Sequence, residues 1–419
     1  MRKQYKSYRW IVWAIVAFVY MVSFFHRMAV GAIQEDLTKE FQLNSTAIAA
    51  FSSIFFYIYT AMQIPAGILA DTIGPRKTLL IGSMVSSLGS LLFGFAPTVA
   101  VAYAARFMVG LGVSVIFVSM MSVNGRWFTP KYFATISGSS VFIGNLGGVF
   151  AQTPLVLLAA AFSWRSAFLG IGVVGILSGV LCYIILRDKP EDLGFPVVCP
   201  EAPKSRNRHF GRAIGNFFKN PYSWPPCLLF FGSYSCQATF SGTFGLQYFR
   251  ECFGFTDVQG GNLTLISMLA MAISTPLYGL ISDRIGRRKP VLAFVGVLTF
   301  CVWLTMLLFS RYLSYGAFVV LMIAAGCSWG CIPLCLTAVR EVNDPTYSGV
   351  NTACGNMYAY LGASIVPMVF GAVMDHMRPA FSGHDLYRYA FLVLVACGVL
   401  SAAMAPLLKE TRCTNIHAQ

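Results

Sequence analysis

Within an apolar run that begins at about Ile11, the chain sets His26 and Arg27 side by side and then continues Met-Ala-Val-Gly-Ala-Ile. A guanidinium stays charged, and its planar fork suits a carboxylate or a phosphate. An ionisable residue deep in such a run is costly, which marks it as a functional site. The sequence places no carboxylate in a comparable position to neutralise it. Asp71 and Asp283 fall in basic loops, and Glu35, Asp36, Glu251 and Asp375 fall at the other ends of the apolar stretches. These residue types point to an organic anion held at Arg27. His26, whose side chain titrates near physiological pH, is the matching proton site. Tyr20, Ser23 and Gly31 share the helical face of Arg27.

Other chemistries lack their parts. There is no H-E-x-x-H string, no paired carboxylates in an apolar stretch and no G-x-x-x-x-G-K-[ST] loop, so neither hydrolysis nor ATP-driven work is expected. Cys327, Cys331 and Cys335 fall at i, i+4 and i+8, but with no His or carboxylate within a turn they read as packing residues. Neither a metal nor a cofactor is expected.

The elements that hold these residues follow from composition. Of 419 residues, 57% are hydrophobic and 11% charged, less than half of the roughly 25% charged residues of soluble proteins. Twelve apolar stretches long enough to cross a bilayer lie between residues 10 and 408, six before Arg187 and six after Pro221. The fold class expected is an all-α membrane protein of twelve transmembrane helices in two pseudo-symmetric six-helix bundles. Its parts are residues 1–186, a basic linker 187–221, and residues 222–419. The net charge of +14 is a topology signal, because 22 of the 30 Lys and Arg residues fall on one side if the N-terminus is cytoplasmic. Both termini are then cytoplasmic, and nucleic acid is not a partner. The first stretch is too long for a signal-peptide core and stays as span one. Asn44-Ser-Thr46 has the form of a glycosylation sequon, although the expected location is a bacterial inner membrane.

A repeat sharpens the picture. Gly67-Ile-Leu-Ala-Asp71-Thr-Ile-Gly74-Pro-Arg76-Lys77 follows span two, and Gly279-Leu-Ile-Ser-Asp283-Arg-Ile-Gly286-Arg287-Arg288-Lys289 follows span eight, 212 positions on. Arg126 and Arg340 echo one another near the ends of spans four and ten. In each copy the Asp can pair with a basic residue opening the next helix. Such clusters are expected to latch the cytoplasmic ends when the cavity opens outward and to break when it opens inward. The loop resembles the signature of the major facilitator superfamily, and Arg106-Phe-Met-Val-Gly110-Leu-Gly112 is similar to that superfamily's R-x-x-x-G-x-G element.

Three strings narrow the resemblance to the organophosphate:phosphate antiporters and anion:cation symporters. Ser-Phe-Phe-His26-Arg27 resembles the position where those branches carry a substrate-binding arginine. Arg187-Asp-Lys-Pro190-Glu191-Asp-Leu-Gly194-Phe-Pro196 and Tyr360-Leu-Gly362-Ala-Ser364 are similar to short motifs of the antiporters. Two departures matter. Sugar-phosphate antiporters carry a second arginine in span seven, where this chain reads Ser233-Tyr-Ser-Cys-Gln237-Ala-Thr239. The carboxylate symporters place an aspartate before the arginine, where this chain has His26. One arginine balances a single negative charge, so a carboxylate or sugar acid moving with a proton, or another cation, is the expected cargo.

By pseudo-symmetry, spans one, four, seven and ten line the cavity, with parts of two, five, eight and eleven. The polar candidates are Tyr20, Tyr57, Asn145, Gln237, Thr239, Asn356 and Tyr358. The protein is expected to work as a monomer. A proton-driven exporter of drugs or siderophore-like compounds is the alternative on the same fold. A membrane-embedded enzyme and a non-transporting sensor rank below it.

Overall fold

A computed structural model describes residues 2–42, 54–55, 57–151, 153–195 and 210–416. The Asn44 sequon, much of span two and the linker residues 196–209 lie outside the described residues. The described chain is helical throughout, as its long apolar stretches require, since a backbone in lipid must satisfy its own hydrogen bonds.

Ten helices among the described residues are long and apolar enough to cross a membrane. Of the two remaining expected spans, span two is described as the short helix Gln63–Thr72 and the helical residues 54–55 and 57–61 before it. Span seven is helical from Trp224 to Phe253 but changes winding on the way. Helix Trp224–Thr239 passes into a π-helical segment, Phe240–Phe244, before Gly245–Phe253 resumes the α-helix. Spans four and ten are interrupted too, at Val115 and at Gly330-Cys331. In span ten Pro333 removes a donor two residues past the break, which accounts for the interruption there.

The chain divides into two compact units. The first comprises residues 1–133, 139–210 and 346–354, and the second residues 134–138, 211–345 and 355–419. In the first, helix Pro75–Gly94 packs along both Val99–Ser114 and Trp164–Ile185. Close approach depends on glycine, since a Cβ at Gly147 would lie 2.0 Å from the carbonyl oxygen of Met21 in helix Arg2–Ala32. In the second, Lys289–Phe309 and Trp224–Thr239 both pack along Gly383–Met404. An aromatic core fills this unit, with Phe240 5.2 Å from Trp303 and Tyr248 5.0 Å from Phe391. Trp329 is fully buried in the same core. Apolar side chains such as Leu177, Ile184 and Val320 remain exposed on the helices, as lipid-facing residues must.

Candidate functional site

Span one places Arg27 half-buried and His26 fully buried in the first unit. The guanidinium carbon of Arg27 lies 5.4 Å from the Phe24 ring and 5.8 Å from the Tyr59 ring, within cation–π range of both. Tyr59 stacks on Phe55 with centroids 5.8 Å apart. The guanidinium of Arg106 from span four lies 5.5 Å from the Phe55 ring. Arg106 is fully buried and donates from Nη1 to the carbonyl oxygen of His26 at 3.0 Å. Each ring of a stacked aromatic pair thus has an arginine within cation–π range, and the second arginine holds the peptide carbonyl immediately before the first.

The imidazole of His26 sits in this layer with neither ring nitrogen hydrogen-bonded among the described residues. An unsatisfied buried polar ring is expensive, and such a group requires an explanation beyond packing. Tyr20 is buried beside Phe117 at 5.6 Å and against Gly144 of span five, where a Cβ would clash with its ring. Asn145 is half-buried. Tyr57 is exposed, whereas Tyr59, two positions on, lies within cation–π range of Arg27. Tyr59 and Phe55 were not among the sequence candidates, because an aromatic residue in an apolar span carries no polar signal. Arg106 stood out only as a motif residue.

In the second unit, Gln237 is half-buried and Thr239 fully buried just before the π-helical segment. The Thr239 hydroxyl has no hydrogen-bond partner among the described residues, while Thr243 returns its own hydroxyl to the Ala238 carbonyl at 3.1 Å. Asn356 is buried. Tyr358 packs on Trp224 at 5.8 Å and on Phe218 at 6.5 Å, at the first turn of span seven.

The two copies of the repeated loop are built differently. In the second unit Arg288 is buried and binds both Asp283 and Glu341, the latter at 3.0 Å. Burial opposes its charge, but the two carboxylates outweigh that and hold its pKa above the ordinary value. Asp283 also accepts from the amide of Thr135 at 2.9 Å and from its hydroxyl at 2.6 Å. In the first unit the expected pairing of Asp71 with the basic pair does not form. Arg76 donates from Nε to the Tyr183 carbonyl at 2.9 Å, stacks over the Tyr183 ring and gives its amide to Asp188. Lys77 is exposed. The reason is local: span four ends Arg126-Trp127-Phe128-Thr129, with no acid where span ten supplies Glu341. Asp71 instead accepts from the amides of Gly349 and Val350, both at 3.0 Å, in the first turn of helix Ser348–Met377. A helix N-terminus is a natural anion site. Arg287 is exposed. Arg126 and Arg340 are half-buried at the ends of their spans, and the Arg340 carbonyl accepts from Asn415.

Among the described residues no group of three or more His, Cys, Asp or Glu side chains could hold a metal ion.

The sequence profile of the Major Facilitator Superfamily matches residues 16–367 and, in a second alignment, residues 226–415. The chain belongs to that superfamily. It is accordingly a multi-pass membrane protein and a transporter by family rather than an enzyme. It is 25% identical to the probable sulfoacetate transporter SauU of Cupriavidus necator over 68% of this chain and 67% of that one. It is 24% identical to the membrane sensor protein UhpC of Escherichia coli over 97% of this chain and 93% of the relative. Among solved folds, the E. coli fucose:proton symporter FucP superposes with a TM-score of 0.73 at 15% identity, covering 95% of this chain and all of that one.

Proposed function

We propose that the protein moves a small organic anion, a carboxylate or sugar acid, across a bacterial inner membrane by alternating access, in symport with a proton. The observation that carries this reading is the position of Arg27, a half-buried guanidinium held in a span by the rings of Phe24 and Tyr59. A planar guanidinium presented in this aromatic frame suits the two oxygens of a carboxylate. His26, buried beside it without a hydrogen-bond partner among the described residues, is the proton site. The relative SauU, named for an anion, supports the same class of cargo. Tyr20, Asn145, Gln237, Thr239, Asn356 and Tyr358 supply polar contacts along the route. Asp71 and Asp283, each on amides near a helix start, form the inner-end latch, with both termini cytoplasmic.

The test is thermal stabilisation of the purified protein by a panel of carboxylates and phosphates, with and without Arg27→Gln. A carboxylate that stabilises the wild type and not the variant is the expected result. Equal stabilisation by neutral or cationic compounds, surviving Arg27→Gln, would favour the drug-exporter reading instead. A second reading, a sensor, draws on the near full-length likeness to UhpC. Binding of the anion without uptake into proteoliposomes under any proton gradient would select it.

A further inference from the structure

At the end of spans nine and twelve remote from the Asp283 loop, the second unit carries a groove of about 410 Å³. Helix Lys289–Phe309 starts beside that loop and runs away from it, so its last turn lies near the opposite membrane face. There it meets the first turns of helix Gly383–Met404. The floor is apolar, made by Leu307, Leu308 and Leu392, and the last two are about half-exposed. Above it Phe381 and Tyr389 pack ring to ring at 4.8 Å. The rim carries two opposite charges, Asp385 and Arg388, three residues apart on one helical face.

Those two charges are within a turn of each other and both exposed, yet among the described residues neither makes a hydrogen bond or an ion pair, with the other or with anything else. A surface acid and base at this spacing ordinarily neutralise one another. Here each stands open at the mouth of a leucine-floored groove, at the last turn of span nine and the first turns of span twelve. Tyr389 beside them is a residue type enriched at the membrane interface.

We propose that this groove seats one zwitterionic phospholipid, with its phosphate on Arg388, its ammonium on Asp385 and an acyl chain along the leucines. The charge pair matches such a headgroup in sign and order of size, whereas an anionic lipid would satisfy Arg388 and be repelled by Asp385. The volume falls in the range of about 300–1,000 Å³ typical of small-molecule sites. The site is separate from Arg27, and its failure would leave the transport reading untouched.

The experiment is native mass spectrometry of the full-length protein in mild detergent, titrated with phosphatidylethanolamine or phosphatidylglycerol. Wild type, Asp385→Asn, Arg388→Gln and Leu308→Trp are compared, each checked for an unchanged melting temperature before lipid is added. The wild type should retain one phosphatidylethanolamine with about tenfold preference over phosphatidylglycerol. Asp385→Asn should erase the preference, and Arg388→Gln and Leu308→Trp should weaken retention of both lipids. An unchanged preference in Asp385→Asn would overturn the proposal, as would undiminished retention in the other two variants. A dimer lost in the variants would mark the groove as a contact between copies of the chain and overturn it equally.

Discussion

Arg27 and Arg106 share one stacked aromatic pair, Arg27 over Tyr59 and Arg106 over Phe55. Each guanidinium faces a π-cloud, and Arg106 also donates to the His26 carbonyl. The arrangement makes Arg106 a positioning residue for Arg27. It acts through the backbone at His26 and through the ring stack.

On the proposed function, breaking that contact should weaken anion binding while leaving Arg27 in place. Arg106→Lys keeps the charge but loses the fork, and is expected to weaken the anion affinity by about tenfold, roughly 1.4 kcal/mol. Tyr59→Leu removes one cation–π face and is expected to cost about 0.5–1 kcal/mol, roughly two- to five-fold, while Tyr59→Phe keeps the ring and stays near wild type. Isothermal titration with the anion that stabilises the protein checks all three. Equal affinity in wild type and Arg106→Lys would remove Arg106 from that role.

The glycines of span five set how closely it approaches span one. Gly147→Ala would drive a methyl group into the Met21 carbonyl, and overpacking of this kind costs about 1–3 kcal/mol. Gly170→Ala is the control, because that exposed helix position has nothing within 4 Å of a Cβ. Melting curves in detergent should show a lower midpoint for Gly147→Ala and an unchanged or slightly higher one for Gly170→Ala.

Much of the scaffold was legible in the sequence because apolar length and basic loops are one-dimensional signals. What joins the ends of the spans was not. In the first unit Asp188, just past span six, accepts the amide of Arg76 at 2.9 Å. In the second Glu410, past span twelve, accepts those of Arg288 at 2.9 Å and Lys289 at 3.2 Å. Each half therefore caps its third helix with an acid from beyond its sixth. The two acids are 222 positions apart where the loops repeat at 212, so the register conceals the correspondence. The repeated loop suggested two equivalent Asp–basic pairs. Only the second forms, because Glu341 completes it and the first half has no counterpart.

That asymmetry orders the latch variants. Asp283→Asn leaves a buried guanidinium with one carboxylate in place of two, whereas Asp71→Asn removes the acceptor for only one of two amides at a helix start. Removing one partner of a buried ion pair costs about 3–5 kcal/mol at the upper end, so Asp283→Asn should lower the melting temperature more than Asp71→Asn. Glu341→Gln should resemble Asp283→Asn. If Asp71→Asn proved the most damaging of the three, the cluster around Arg288 would not be the firmer of the two.

The chain after span twelve is bound down at its end. Thr411 donates its hydroxyl to Glu341, the Ile416 amide donates to the Glu341 carbonyl at 2.8 Å, and Asn415 reaches the carbonyls of Arg340 and Asn343, each at 2.9 Å. Between them Arg412 and Cys413 are both left-handed, at φ +52° and +59°. Non-glycine residues hold that conformation at a cost of about 1–3 kcal/mol each, so these hydrogen bonds must outweigh it. Burial pushes the Cys413 thiol above its ordinary pKa, with Arg288 opposing and Glu341 and Asp283 adding to the shift. A raised pKa leaves little thiolate at pH 8, so maleimide should label Cys413 slowly there and faster as the pH rises through the usual thiol range. Thr411→Val and Asn415→Ala release the segment into water, lower that pKa and should speed labelling at pH 8, read as the modified Cys413 peptide by mass spectrometry. Rapid labelling of Cys413 in the wild type at pH 8 would mean that the segment is not held against span ten.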